Sequence, residues 1–146
     1  VIKIPVIVEK IPLYGISLKN IDFVDTFNNQ TSIIGFHHYD TAPHTTDENR
    51  VLHTKKLDQL FMLLKIGRIN MAVLPIDKLE NLRPYFKDKE MFISANPISY
   101  EDTYMFIHKK YAHISERIGK AFEKQKDTPY FKIIKEKYSI ERFKNN

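Results

Sequence analysis

Five side chains able to bind a metal or move a proton fall within one short stretch: His37, His38, Asp40, His44 and His53. Imidazole and carboxylate ligands suit zinc, copper or nickel. The order His-His-x-Asp-x-x-x-His matches no diagnostic metal spacing, however, and a polar loop at the mouth of a cleft, touching a solute or only water, explains the same residues more cheaply. Catalytic alternatives have less support. Ser17 and Ser32 lie in apparent strands without the flanking glycines of a Gly-x-Ser-x-Gly turn, and the four glycines of the chain form no phosphate-cradling loop. No carboxylate set among apolar residues stands out as a tuned acid or base. The chain has no Cys, which excludes thiolate nucleophiles, thiolate metal sites and disulfides. Tyr14 and Tyr39 could stack on a ligand, and Tyr100 or Tyr104 could line a hinge, but Tyr rings more often pack.

These residues need a scaffold, and the hydrophobic pattern supplies one. Val1 to Leu18, rich in Ile and Val and punctuated by Pro5 and Pro12, reads as extended with bends. Ser32 to His37 reads as a short buried strand, and His38 to about His53 as a loop. Thr54 stands where it could cap a helix carrying Leu57, Leu60, Phe61 and Leu64 at the spacing of one buried face. Gly67 then follows Lys65 and Ile66, where a left-handed cap needs a residue without a Cβ. Met71 to Leu74 is an apolar strand stopped by Pro75. Asp77 can cap a brief helix through Leu79 and Leu82, and Met91 to Ser94 reads as another strand. Thr103 to His108 is a strand. It precedes a helix from about Ala112 to Lys126 with Ile114, Ile118 and Phe122 on one face. Thr128 and Pro129 then open a last helix carrying Ile133, Ile134 and Tyr138. Strands alternating with helices across short connections predict an α/β fold, doubly wound on a mainly parallel sheet.

Composition narrows the classes. With 146 residues and 42% hydrophobic content, the chain can bury a core as one domain. No apolar run is long enough to span a bilayer, and Val1 to Lys10 lack the layout of a signal peptide. The expectation is a soluble chain whose leader, where one exists, lies upstream. The net charge of +5 is unevenly spread: residues 1 to 104 hold 12 basic and 13 acidic side chains, residues 105 to 146 hold 11 and 5. The excess falls on the expected outer faces of two amphipathic helices, which argues for solvated faces and against a nucleic-acid partner.

One run carries a family resemblance. Leu57 to Leu74 (LDQLFMLLKIGRINMAVL) resembles the helix, Gly-Arg turn and strand of the type II periplasmic solute-binding proteins, the class that includes the amino-acid-binding components of ABC transporters. Ser17 to Gly35 resembles the segment leading into the first strand of that family's second lobe. Tyr104 to Lys109 (YMFIHK) is similar to the strand returning to the first lobe, and Ile114 to Tyr138 to the two closing helices. The resemblance implies a second-lobe-like α/β core over residues 15 to 100 and a return strand with C-terminal helices over 101 to 146, together one solute-binding-like domain without the first lobe. It implies non-catalytic binding of a small solute in an interlobe cleft, an extracytoplasmic (periplasmic) location, a membrane permease or sensor as partner, and no cofactor. A ligand-sensing regulatory domain is the alternative, and a His-cluster metal protein a more distant one.

In that family a Gly-Thr loop and an Asp beyond the Gly-Arg strand grip an amino acid. Here Tyr39, Asp40 and Thr41 fill the loop, and Pro75 stands at the Asp position. The contact residues this implies are His38, Tyr39, Asp40 and Thr41. The family's C-terminal helices rest on the first lobe, so Ile114, Ile118, Phe122, Ile133 and Ile134 are expected to seek cover, including in a homo-oligomer.

Overall fold

The computed structural model describes residues 1–37, 50–86 and 90–144. Its elements, in chain order, are β1 (Ile2–Ser17), α1 (Phe23–Asn28), β2 (Ile34–His37), β3 (Val51–Thr54), α2 (Leu57–Lys65), β4 (Met71–Pro75) and α3 (Ile76–Leu82). After a 3₁₀ turn at Arg83–Phe86 come β5 (Phe92–Ile93), β6 (Ser99–Ile107), a second 3₁₀ turn at Lys109–Ile114, α4 (Ser115–Gln125) and α5 (Pro129–Lys144). The chain forms two units, Ile11–Glu101 and a second made of Val1–Lys10 with Asp102–Asn146. It passes between them twice, once within β1 and once within β6.

In the unit Ile11–Glu101 the strand order is β3-β2-β4-β1-β5. β2 runs parallel to β3 and to β4, while β1 runs antiparallel to both β4 and β5. β3, β2, β4 and β5 therefore share one direction and β1 alone opposes them, which is the α/β, mainly parallel sheet expected from the sequence. Alternation along β4 builds two cores. Ala72 and Leu74 join Ile16, Leu60, Phe61, Leu64 and Leu79 on the face covered by α2 and α3. Met71 and Val73 join Leu13, Ile34 and Phe36 on the other face, where Phe23 and Phe27 of α1 pack. Period-two side-chain geometry makes this division unavoidable once β4 is a strand.

α2 follows its sequence pattern: Leu60, Phe61 and Leu64 are buried. It ends as a Schellman motif, with the Gly67 N–H donating to the Leu64 carbonyl (3.1 Å) and the Arg68 N–H to the Leu63 carbonyl (2.9 Å). Gly67 has φ 74°, a left-handed conformation that costs little only without a Cβ. At Gly35 the reason for glycine is space. A Cβ there would lie 2.5 Å from Ile69 Cδ1 and 2.7 Å from Leu60 Cδ1, so α2 and the turn after it rest directly on the β2 backbone.

Several details depart from the sequence expectation. Thr54 does not cap α2; it is the buried last residue of β3, and the cap position is Lys56, which makes no side-chain capping bond. The strand Val51–Thr54 itself occupies what reads in sequence as the end of a loop, since four residues directly after the polar stretch Thr45 to Arg50 carry little periodicity of their own. α1 is a further addition. The Asp22 carboxylate caps it by accepting from the Asp25 N–H at 2.9 Å, and Phe23 and Phe27 supply its apolar face at i, i+4. Residues 109–114 form a 3₁₀ turn, so the helix expected from Ala112 starts at Ser115. At the next junction Thr128 and Pro129 act as read, with Thr128 Oγ1 accepting from the Phe131 N–H at 3.4 Å.

In the unit made of Val1–Lys10 and Asp102–Asn146, β6 pairs with β1, and Thr103 Oγ1 donates to the Glu9 carbonyl at 3.0 Å. The Lys3 ammonium sits 3.4 Å from the Tyr104 ring centroid, and Lys10 pairs with Asp102 at 3.5 Å. α4 lies on β1 at Gly119, where a Cβ would meet Ile4 and Val6 at 3.2 and 3.3 Å. Phe122 of α4 and Phe131 of α5 meet edge to face, 5.2 Å between centroids. Among the described residues of this unit only Ile4 and Gly119 are buried. Ile114, Ile118, Phe122 and Ile134 are half-buried, and Ile133 is 63% exposed.

Replacing Gly35 with Ala should lower unfolding stability by about 1–3 kcal/mol, since the new methyl must displace Leu60 and Ile69 in a packed core. Urea denaturation of the two forms measures it. An unchanged midpoint would mean that α2 does not rest on β2 as described.

Candidate functional site

In sheets of this construction the place for a ligand is the crevice beyond the carboxyl ends of parallel strands, where the chain changes direction of winding. That point is β2. The chain leaves it first for β3 on one side and later, through α2, for β4 on the other. The residues ending the three strands are His37, Thr54 and Pro75. Register sets them side by side: His37 is level with Thr54, Phe36 with Val73, and Leu13 of β1 with Pro75. His38, Tyr39, Asp40 and Thr41 follow His37 directly in the chain. They lie outside the described residues, as do His44 and Tyr39's ring as a stacking candidate.

His37 and Thr54 are 8% and 7% exposed and share the sheet face that carries α2. The Thr54 hydroxyl is buried and makes no hydrogen bond. Beside it a surface depression of about 380 Å³ is lined by Thr54, Asp58, Gln59, Met62 and Leu63, at the start of α2. Pro75 contributes neither charge nor an N–H donor. Sequence reasoning took Thr54 for a cap and so missed it as a strand-end residue; its β-branched side chain after Val51-Leu52-His53 was the available signal.

The histidine cluster is divided by the sheet. Phe36 pairs with His53 across β2 and β3, their rings 6.1 Å apart, whereas His37 pairs with Thr54 one residue on. His37 and His53 therefore point to opposite faces and cannot converge on one ion while the register holds. Among the described residues no group of three or more His, Asp or Glu side chains converges. Of the tyrosines, Tyr104 lies under the Lys3 ammonium, Tyr14 is half-buried opposite Leu74, and Tyr100 is 56% exposed.

Because the Thr54 hydroxyl is buried without a partner, the isosteric Thr54→Val should be as stable as the parent or gain up to about 1 kcal/mol. Thermal and urea melts decide this. A loss beyond about 1 kcal/mol would show that the hydroxyl is bonded in solution.

No protein-family model matches the chain, and no curated protein does. Solved structures do. An ancestral arginine-binding protein bound to arginine is similar over 90% of this chain and 62% of its own, with TM-score 0.53 and 17% identity. EhuB in complex with hydroxyectoine matches over 89% and 55%, with TM-score 0.52 and 18% identity. A point mutant of arginine-bound ArgBP from T. maritima matches over 80% and 56%, with TM-score 0.52 and 16% identity. The chain spans somewhat more than half the length of these proteins. At such identities the likeness concerns the fold, and over most of its length this chain has the type II periplasmic solute-binding fold in part.

Proposed function

We propose that the chain recognises a small solute at the carboxyl-end edge of β2, β3 and β4, without catalysis, as part of the substrate-binding component of an ABC-type transporter outside the cytoplasm. The observation that carries this reading is the parallel β3-β2-β4 arrangement with its switch at β2, the place where α/β sheets hold ligands, in a fold shared with an arginine-bound and a hydroxyectoine-bound protein. His38, Tyr39, Asp40 and Thr41 are the proposed contacts, because they follow β2, the strand at that switch, directly in the chain. The permease partner follows from the transporter reading. Among the described residues no helix is long and apolar enough to cross a membrane.

The solute differs from an ordinary α-amino acid. Where the family places an Asp for the ligand's ammonium, β4 ends in Pro75, and the charge of Asp40, three residues after β2 in sequence, would oppose a ligand carboxylate there. Calorimetric titration with the standard amino acids should show no binding tighter than about millimolar, roughly 4 kcal/mol of binding free energy. Micromolar binding of any of them would overturn this part of the reading. A broader solute screen by thermal shift, repeated on Asp40→Ala and Tyr39→Ala, tests the edge itself. A solute whose stabilisation survives both changes binds elsewhere.

The second unit bears on assembly. With only Ile4 and Gly119 buried among its described residues, it leaves Phe106, Tyr130 and Ile133 exposed at 58%, 73% and 63%. Soluble monomers seldom leave large apolar patches bare, so the isolated chain should self-associate. Light scattering across a dilution series should give a mass that rises with concentration. A monomer at every concentration would exclude this.

A further inference from the structure

The turn joining α1 to β2 carries the sequence Asn29-Gln30-Thr31, the single Asn-x-Ser/Thr of the whole chain. We propose that Asn29 is an acceptor for an N-linked glycan. All three residues are exposed. The Asn29 side-chain oxygen accepts from both the Thr31 N–H (2.9 Å) and the Thr31 hydroxyl (2.8 Å). A backbone N–H can only donate, so the atom it meets is the amide oxygen. The amide nitrogen Nδ2 is thereby left without a protein partner among the described residues. The neighbouring Asn28, which lacks a hydroxyl two residues on, instead spends its Nδ2 on the Val24 carbonyl at 2.9 Å.

The backbone around Asn29 is held from several sides, while the side chain that would carry the glycan is exposed. The Asn29 N–H donates to the Asp25 carbonyl at 2.8 Å, closing α1. Arg50 reaches the carbonyls of Phe27 and Ser32 at 3.0 and 3.1 Å. Asn70 exchanges two bonds of 2.8 Å with the Ile33 backbone. The turn also enters β2 at its amino end, whereas the proposed solute edge is at the carboxyl end, roughly 10 Å away at about 3.3 Å per residue. A glycan there leaves that edge open.

The step needs a polyprenyl-diphosphate-linked oligosaccharide and its transferase. Nδ2 forms a bond to the anomeric carbon and loses one proton. The bond from that carbon to the diphosphate oxygen breaks, and polyprenyl diphosphate leaves with the electron pair. No oxidant or reductant enters. The natural occurrence of the modification rests on the extracytoplasmic location proposed above, but acceptor competence does not, and acceptor competence is what the experiment reads.

The full chain, led by a cleavable secretory signal into a eukaryotic secretory pathway, is the substrate for the test, with intact-mass and peptide mass spectrometry as readout. The expected result is one N-glycan at Asn29, removable by a glycan-cleaving amidase. It should be absent from Asn29→Gln and Thr31→Ala and retained in Thr31→Ser. Asn29 is exposed, so these variants should keep the parent's melting temperature. An unmodified chain beside a secreted control glycoprotein that is modified in the same cells would overturn the proposal, as would a glycan that persists in Asn29→Gln. Neither outcome touches the solute reading, which stands or falls by titration.

Discussion

β4 must be buried on both faces at once, and most of the larger unit follows from that requirement. Met71, Ala72, Val73 and Leu74 are each at most 1% exposed. Full burial of a large apolar side chain is worth about 1.5–3 kcal/mol, so this short strand concentrates a substantial part of the unit's stability. It does so only if a layer lies on each side. α2 and α3 form one layer through Leu60, Phe61, Leu64 and Leu79; α1 contributes to the other through Phe23 and Phe27. The glycines at 15 and 35 serve the same closeness. At each, a Cβ would come within 2.7 Å of a side chain from the covering layers or the neighbouring strand.

That dependence explains which parts of the fold were legible in the sequence. α2, its glycine cap and β4 form one contiguous run in which helix period, left-handed cap and apolar strand each have a local signature, and the structure follows it except that β4 extends through Pro75, which was expected to stop it. α1 and β3 were not legible. α1 has six residues, too few for a helical period to emerge, and is recognisable only from the Asp22 cap and the pair Phe23 and Phe27. β3 is specified by its register against β2, a contact remote in sequence, so Thr54 looked like the start of the next helix rather than the end of a strand. The proposed contacts, His38 to Thr41, lie outside the described residues, so only the strand ends beside them can be compared with the sequence reading. The segment from His38 follows β2 in the chain, but the neighbours at the strand ends, Thr54 and Pro75, are set by pairing. The same pairing separates His37 from His53, which a count of histidines in sequence cannot show.

The two units solve burial differently. The unit Ile11–Glu101 has a double core, whereas the other, with its strongly amphipathic α4, packs through single points of close approach: Gly119 on Ile4 and Val6, and Phe122 on Phe131. Its basic surplus bears on what could cover it. Residues 105 to 146 hold 11 basic and 5 acidic side chains, so two copies brought together through this segment would repel unless the contact is screened or the charges stay at the rim. Pairs such as Glu116 with Lys120 (2.5 Å) and Glu123 with Lys126 (2.7 Å) neutralise part of α4 locally. Self-association through this face should therefore strengthen as salt is raised.

The strand ends set what a solute could find at the proposed edge. A buried imidazole, a buried hydroxyl and a proline ring end the three strands; among the described carboxylates, Asp58 lines the depression beside Thr54, and Asp77 follows Pro75 in the first turn of α3. Asp77 opens α3 and lies 4.0 Å from the ammonium of Lys78, with both side chains 40% exposed, a pairing that water weakens. On the proposed reading, a floor of these three strand ends offers a ligand's ammonium no charged partner of its own, and Asp58 is the described carboxylate beside it. Such a floor favours a solute recognised by hydrogen-bonding groups and apolar surface, because a buried polar atom left unmatched costs about 1–3 kcal/mol and rejects a wrong partner more strongly than a missing methylene does. Recognition as proposed would thus rest on hydrogen-bond matching at the end of a sheet held by the same doubly buried β4 on which the unit is built.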